Sequence, residues 1–288
     1  MSLRQLVAGG EPPSEVRLMP SIAGFSRRVK ENTLLWLRDA ADRHATEVVR
    51  AAGVEASYRC TTLKELGRIR SVGGEPVVLE WLSESVKPGD CVYDIGANTG
   101  FYTILAAKLV GPTGRVVAFE PEGQNFARLQ SNVQVNGLAN VIACPFAVSD
   151  RVGSALMRLH SQDAGEGAHA IVGDGGNWRV FLLTLDGAVD LFGLPWPTHL
   201  KIDVEGHEEA VLRGMARCLQ SETLCTVVVE AHYFQQMSET RHYYDDAELE
   251  AKRLRLISLL GAHRFVLATD RLSAEDEVRY AHMVFIRP

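Results

Sequence analysis

The sequence predicts an α/β fold built on a doubly wound sheet, mostly parallel with an antiparallel last strand, and three observations carry that prediction. From Cys91 onward, apolar runs of strand length alternate with helical patterns, the signature of a parallel sheet covered on both faces. The first run, Val92-Tyr93-Asp94-Ile95, leads directly into Gly96-Ala97-Asn98-Thr99-Gly100, a glycine-rich turn that opens a helix. The next run, Arg115-Val116-Val117-Ala118-Phe119, is followed by Glu120, placed where an acidic side chain accepts the hydroxyls of a ribose.

Residues 1–25, rich in Gly, Pro and Ser, read as a loosely held arm. Over 28–52, Leu34, Leu35, Leu37, Ala41, Val48 and Val49 recur at near-helical spacing, which predicts an amphipathic helix packed on the main domain or on a second subunit of a homodimer. Residues 1–74 therefore form an N-terminal arm and helical extension, and 75–288 the main domain. A helix is expected around Glu75–Leu82, with Pro76 in its first turn. Then come a strand at 91–95, a helix at 100–110, a strand at 115–119, a helix at 123–136 and a strand at 140–144. Gly111-Pro112-Thr113-Gly114 and Asn136-Gly137 punctuate them. Short alternating stretches flank a Gly-rich loop at 163–177, so 153–185 reads as an inserted antiparallel hairpin with a mobile tip, near the sheet edge where a substrate lid sits. The sheet resumes with a strand at 199–204, a helix at 207–219, a strand at 224–230 and a helix at 246–261. Strands at 264–268 and 282–287, joined by a polar loop, form an antiparallel final pair.

The bulk numbers exclude several classes. The net charge of -6, with both signs interspersed, provides no basic stripe for a phosphate backbone, so nucleic acid is not an expected partner. There is no run of eighteen apolar residues and no secretory signal pattern at Met1–Val7, which predicts a cytoplasmic protein without a membrane span. Cys60, Cys91, Cys144, Cys218 and Cys225 form no CxxC pair, and most read as small buried hydrophobes.

Chemistry concentrates at the predicted carboxyl ends of the strands, where open α/β sheets bind ligands: Asp94, Glu120, Asp203, Glu205, Glu230 and His232. Asp203 and Glu205 are two apart, as are Glu230 and His232, so in extended geometry each pair projects to one face, and adjacent strands bring the pairs together. Such a group serves as a general base, as a set of hard oxygen ligands, or as acceptors for substrate hydroxyls. Simpler readings stand beside these. Asp94 braces the glycine turn or acts on the cofactor indirectly, Glu208 and Glu209 are acids of a helix first turn, and His207 is a polar helix-start residue lining the pocket. The histidines at 44, 160, 169, 199, 242, 263 and 282 lack acidic company.

The turn is not a dinucleotide fingerprint. Asn98 occupies the place of the second glycine, which lets backbone approach a pyrophosphate, so a cofactor without a diphosphate fits better. S-adenosylmethionine is such a cofactor, its amino-acid end taken by backbone and Asn98, its ribose by Glu120 and its adenine by apolar side chains. The stretches Asp94–Thr103, Phe119-Glu120-Pro121, Asn132 with Asn136, Ala147–Asp150, Thr184–Asp186, Lys201–Glu208 and Glu230-Ala231-His232 resemble the FkbM family of S-adenosylmethionine-dependent methyltransferases over roughly residues 75–235.

The resemblance implies a class I methyltransferase (Rossmann-like) domain and O-methylation of a hydroxyl on a small molecule: a sugar, polyketide or other secondary metabolite. It places Gly96, Asn98, Gly100, Tyr102 and Thr103 around the methionine, Glu120 at the ribose and Phe146-Ala147 at the adenine. Asp94, Ala97, Pro121 and Asp203 complete the expected cofactor-binding set. The base is His232 or Asp203, with Glu205 and Glu230 orienting it or joining Asp203 in holding a divalent cation such as magnesium. Competing readings are an NAD-dependent oxidoreductase and a non-catalytic scaffold. The short Asn/Asp-Pro-Pro-aromatic motif of enzymes acting on planar amino groups is missing, which favours oxygen over nitrogen.

Overall fold

The computed structural model describes residues 46–71, 74–159, 169–172, 175–232, 235–238, 241–243, 246–275 and 278–288. In chain order it begins with strands β1 (Thr46–Ala51) and β2 (Val54–Arg59) and helices α1 (Leu63–Arg70) and α2 (Pro76–Ser85). There follow β3 (Cys91–Ile95), α3 (Phe101–Val110), β4 (Arg115–Phe119), α4 (Gly123–Val135) and β5 (Val141–Cys144). The insertion holds β6 (Ala147–Val148), β7 (Gly153–Arg158), β8 (Ala170–Val172) and β9 (Trp178–Leu183). After it come α5 (Leu185–Phe192), β10 (His199–Ile202), α6 (Glu208–Arg213), α7 (Ala216–Gln220) and β11 (Thr226–His232). A small hairpin, β12 (Gln235–Ser238) and β13 (Arg241–Tyr243), precedes α8 (Asp246–Gly261), β14 (Val266–Glu275) and β15 (Val278–Ile286).

The central sheet runs β14-β15-β11-β10-β3-β4-β5. Neighbours from β11 to β5 are parallel, and β15 is antiparallel to both β11 and β14. This is the predicted doubly wound sheet with its late antiparallel strand. The central strands read as continuous apolar runs because both faces are covered, and β3 and β11 are buried at every position.

The N-terminal reading needs correction. Residues 46–51, expected to continue a helix over 28–52, form a strand instead, while 28–45 lie outside the described residues. The β-branched Thr46, Val48 and Val49 suit a strand, and Ala52 (φ 48°) with Gly53 (φ 79°) supplies the two left-handed residues of a tight hairpin turn. This hairpin is latched onto the main domain. Tyr58, fully buried, stacks on Phe101 at 5.1 Å and donates its hydroxyl to the Phe101 carbonyl at 2.9 Å. Asn132 of α4 accepts the Arg59 N–H at 2.8 Å and donates to the Thr99 carbonyl at 2.8 Å, which joins the hairpin to the glycine turn. Val49, Tyr58, Leu66 and Ile69 share one apolar cluster with Val78, Trp81, Ile104 and Leu105, each such burial stabilising by roughly 2 kcal/mol.

Two further differences have local causes. The expected helix over 207–219 is broken into α6 and α7 at Gly214-Met215, where the chain presses on the backbone of Ser149: a Cβ on Gly214 would lie 1.9 Å from the Ser149 carbonyl oxygen. The insertion pairs β7 with β9 as an antiparallel hairpin, and it also carries β8 on the outer edge of β7 and β6 parallel to β9. Cys60, Cys91, Cys144 and Cys218 are buried as expected, and Cys225 is exposed. No helix among the described residues is long and apolar enough to cross a membrane.

Gly53 and Gly96 both hold positive φ, yet an added Cβ meets nothing within 4 Å at Gly53 and lies 1.7 Å from the Asp203 carbonyl oxygen at Gly96. Gly53→Ala should lower stability by about 1 kcal/mol, the cost of left-handed backbone alone. Gly96→Ala should cost about 3 kcal/mol or more, because it also parts β3 from β10. Chemical denaturation of the two variants checks the contrast, and equal costs would show that the close approach at Gly96 is not structurally important.

Candidate active site

The glycine turn sits where β3, β4 and β10 end together, and its backbone is closed on the protein itself. Gly96 and Ala97 both donate to the Phe119 carbonyl (2.9 and 3.0 Å), and Gly100 donates to Ala97 (2.9 Å). Asn98 donates its N–H to Glu120 Oε2 (2.8 Å), and the Thr99 N–H goes to Asn98 Oδ1 (2.7 Å). The amides over 96–100 are therefore all taken within the protein, by the adjoining end of β4 and by the turn itself. Asn98 stands at φ 50°, a left-handed position that asparagine tolerates well.

Glu120 is fixed from two sides. Its Oε1 accepts from the Glu122 N–H at 2.8 Å while Oε2 holds Asn98. Burial pushes its carboxyl up to about 8, against the two amides that favour the charged form. Each oxygen takes one donor and so keeps accepting capacity for another. Other residues of the expected cofactor set lie behind this wall. Thr103 donates to Asp94 at 2.5 Å, Gly100 packs against Leu129, and the Tyr102 ring lies beneath Lys201 Nζ at 5.2 Å from its centroid. Asp94 is a brace, buried and raised by that burial, with Lys201 and Thr103 opposing the rise.

A cleft of about 650 Å³, part of it open to solvent, crosses the carboxyl end of the sheet. Gly96, Asn98, Glu120, Pro121, Phe146, Ala147, Asp203 and Glu205 line it, all residues of the expected site, and so does His207, which meets Ser149 Oγ at 2.9 Å. Asp94, Ala97, Gly100, Tyr102, Thr103, Glu230 and His232 are not among its lining residues. The insertion closes one side with Met157, His169 and Ile171, and Arg68 of α1 reaches in from the N-terminal segment. Phe146 packs between Phe119 and Phe192 with centroids 5.5 Å from each.

Behind the acidic edge of this cleft, the two spaced pairs meet around His232. Its Nε2 lies 3.1 Å from Glu230 and 3.5 Å from Glu205, and its Nδ1 3.4 Å from Glu208 and 3.9 Å from Asp203. Burial disfavours the charged ring, but Glu205, Glu208 and Glu230 outweigh it and hold the imidazole well above its usual range, so it is protonated at neutral pH. Glu205, at φ 49° just past β10, is pushed up to about 8 by burial and by Asp203, Glu230 and Glu208, with His232 opposing. Lys201, facing Asp94 on the neighbouring strand, bridges toward Asp203 at 2.9 Å; burial disfavours its charge, yet Asp203 and Asp94 keep it protonated.

Several members of this group escape sequence reading. Glu208, the expected acid of a helix first turn, is also fully buried and takes Lys252 of α8 at 2.5 Å; burial pushes it up, but Lys252 and His232 bring it down to about 2. His282, expected to lack acidic company, stands opposite Glu230 on β15, 3.2 Å from it and 3.6 Å from Glu75. Burial lowers it and those two acids raise it to about 9. Two trios could offer ligand atoms within 4.8 Å of one another: Asp203, Glu205 and His232, and Glu75, Glu230 and His282. The expected set of Asp203, Glu205 and Glu230 is thus divided between two groups.

With the geometry in place, comparison with known proteins identifies the family. The model described as the methyltransferase FkbM domain matches residues 94–258. The chain is 28% identical over 209 residues, 73% of its length and 84% of the relative's, to the hexuronic acid methyltransferase AglP of Haloferax volcanii. It is 41% identical over 76 residues, 26% of its length and 28% of the relative's, to the 31-O-demethyl-FK506 methyltransferase FkbM of Streptomyces tacrolimicus. Among solved structures, a methyltransferase FkbM from Methylobacillus flagellatus aligns over 89% of this chain and 60% of its own, at 13% identity and a TM-score of 0.45. The match over more than half the chain is decisive: the protein belongs to the FkbM family of S-adenosylmethionine-dependent methyltransferases.

Proposed function

We propose that the protein transfers a methyl group from S-adenosylmethionine to a hydroxyl oxygen of a small molecule, a sugar, a polyketide or a related secondary metabolite. The relatives described as acting on a hexuronic acid and on 31-O-demethyl-FK506 support that acceptor range. The observation that carries the reading is that Glu120 and Glu205 line one cleft, the first a diol acceptor and the second a desolvated carboxyl group.

The residues present fit the donor. Glu120, with a free acceptor site on each oxygen, suits the two ribose hydroxyls; Phe119, Phe146 and Ala147 form an apolar wall for adenine; Asp203 and Asn98 border the space for the amino-acid end. When bound, the donor supplies an activated methyl group on a sulfonium. Much of the rate then comes from alignment, since acceptor oxygen, methyl carbon and sulfur must stand in line.

The proton of the acceptor hydroxyl goes to Glu205. His232 and Asp203 are the bases that sequence alone favours, but His232 is already protonated among its carboxylates and Asp203 is engaged by Lys201. Glu205 lines the cleft, and its carboxyl near 8 makes it a competent acceptor at neutral to mildly basic pH. His232 fixes and charge-balances it, while Glu230 and Glu208 hold His232. A divalent cation fits poorly, because it would compete with the Lys201 ammonium at Asp203 and with the protonated His232 ring for the carboxylates around it.

Glu120→Ala should weaken S-adenosylmethionine binding about 10- to 100-fold by calorimetry, the value of two hydrogen bonds to a buried carboxyl group. Unchanged affinity would remove Glu120 from the ribose site. Glu205→Gln should lower turnover about 10²- to 10⁴-fold while leaving donor affinity near normal. The base works ionised, so kcat/KM should rise with pH through a limb near 8. Because the His232 charge favours ionised Glu205, His232→Gln should move that limb to higher pH. A limb that stays in place would disconnect the pair. Exhaustive EDTA treatment should leave turnover intact, and loss restored by magnesium would reinstate the cation.

A further inference from the structure

We propose that Arg68, on α1 outside the matched methyltransferase domain, is the carboxylate-binding residue of the cleft and takes the carboxylate of the donor's amino-acid end. This rests on the methyltransferase reading and extends it to a residue of the N-terminal segment.

Three observations converge on it. Arg68 lines the same cleft as Gly96, Asn98 and Asp203. Its guanidinium makes no hydrogen bond or ion pair with any described residue. Glu75, Asp203 and Glu230 face it and stabilise its charge against burial without contacting it, so its fork of N–H donors is held charged and unengaged. An arginine held this way matches the geometry of a planar two-oxygen anion. Finally, the amides of the glycine turn itself, Gly96 to Gly100, are all donated within the protein, so the turn offers a carboxylate no N–H and a cation at the cleft is the complementary group.

The segment that carries Arg68 is built to hold it still. Thr62 and Glu65 form a reciprocal cap at the start of α1, and Glu65 pairs with Arg128 of α4 at 2.8 Å. Leu66 and Ile69, flanking Arg68 in sequence, are buried in the cluster shared with α2 and α3. The helix that carries Arg68 is therefore fixed in place beside the cleft.

A carboxylate on the acceptor, as in a uronic acid, has the same chemistry, and the experiment separates the two sources. Arg68→Met and Arg68→Lys are compared with wild type by calorimetry against S-adenosylhomocysteine and against 5′-methylthioadenosine, which lacks the amino-acid end. Turnover is then measured with p-nitrophenyl glucuronide and p-nitrophenyl glucoside, and thermal midpoints verify folding. The expected result is that Arg68→Met binds S-adenosylhomocysteine about 10- to 100-fold more weakly and 5′-methylthioadenosine as wild type does, with Arg68→Lys in between. Normal S-adenosylhomocysteine binding together with a selective rise in KM for the glucuronide assigns the carboxylate to the acceptor. If Arg68→Met matches wild type with all four compounds, the proposal is overturned while the methyltransferase reading survives. Where neither glycoside reacts, the donor measurement decides alone. A wild-type chain that binds no donor at all overturns both.

Discussion

The carboxylates at the carboxyl end of the sheet can gather there only because cations from separate elements are interleaved with them. Lys201 stands between Asp94 and Asp203, His232 among Asp203, Glu205, Glu208 and Glu230, Lys252 against Glu208, and His282 between Glu75 and Glu230. An uncompensated buried charge costs several kcal/mol, so each partner is a condition for the others remaining ionised. The arrangement binds β3, β10, β11, β15, α2, α6 and α8 into one unit. The candidate base inherits its properties from that unit, because Glu205 is shifted by burial and by charges that belong to other strands and helices.

A second constraint acts at the other end of the cleft. The backbone of the glycine turn is closed on β4, and the Glu120 carboxylate ties Asn98 to the first residues before α4. This stiffens the turn and orients Glu120, at the cost of removing the turn's amides from ligand binding. The N-terminal hairpin and α1 are fastened to the same turn through Asn132, Tyr58 and Phe101. Glycine turn and N-terminal segment are thereby mechanically continuous, and Arg68 lines the cleft from that segment.

The elements that local pattern could reveal were those whose periodicity reports burial on both faces or one. The runs at 91–95, 115–119 and 199–202, the helices over 101–110, 123–135 and 246–261, and the antiparallel final pair all follow from alternating apolar patterns and turn residues. The strand at 46–51 did not, since Leu and Val spaced among charges fit a helix as well as a hairpin edge until the Ala52-Gly53 turn is considered. The break at Gly214 was equally hidden, being caused by backbone 65 positions away, at Ser149.

The sequence by itself determined the fold, the family and the identity of Glu120, Asp203, Glu205, Glu230 and His232 as the residues at the strand ends, because spacing along a strand decides which face a side chain takes. Only the tertiary structure decided what those residues are. It surrounded His232 with Asp203, Glu205, Glu208 and Glu230, buried Glu208 against Lys252, brought His282 into the group and set Arg68 in the cleft. Protonation depends on burial and on charges distant in sequence, and neither is encoded in the local pattern of residues.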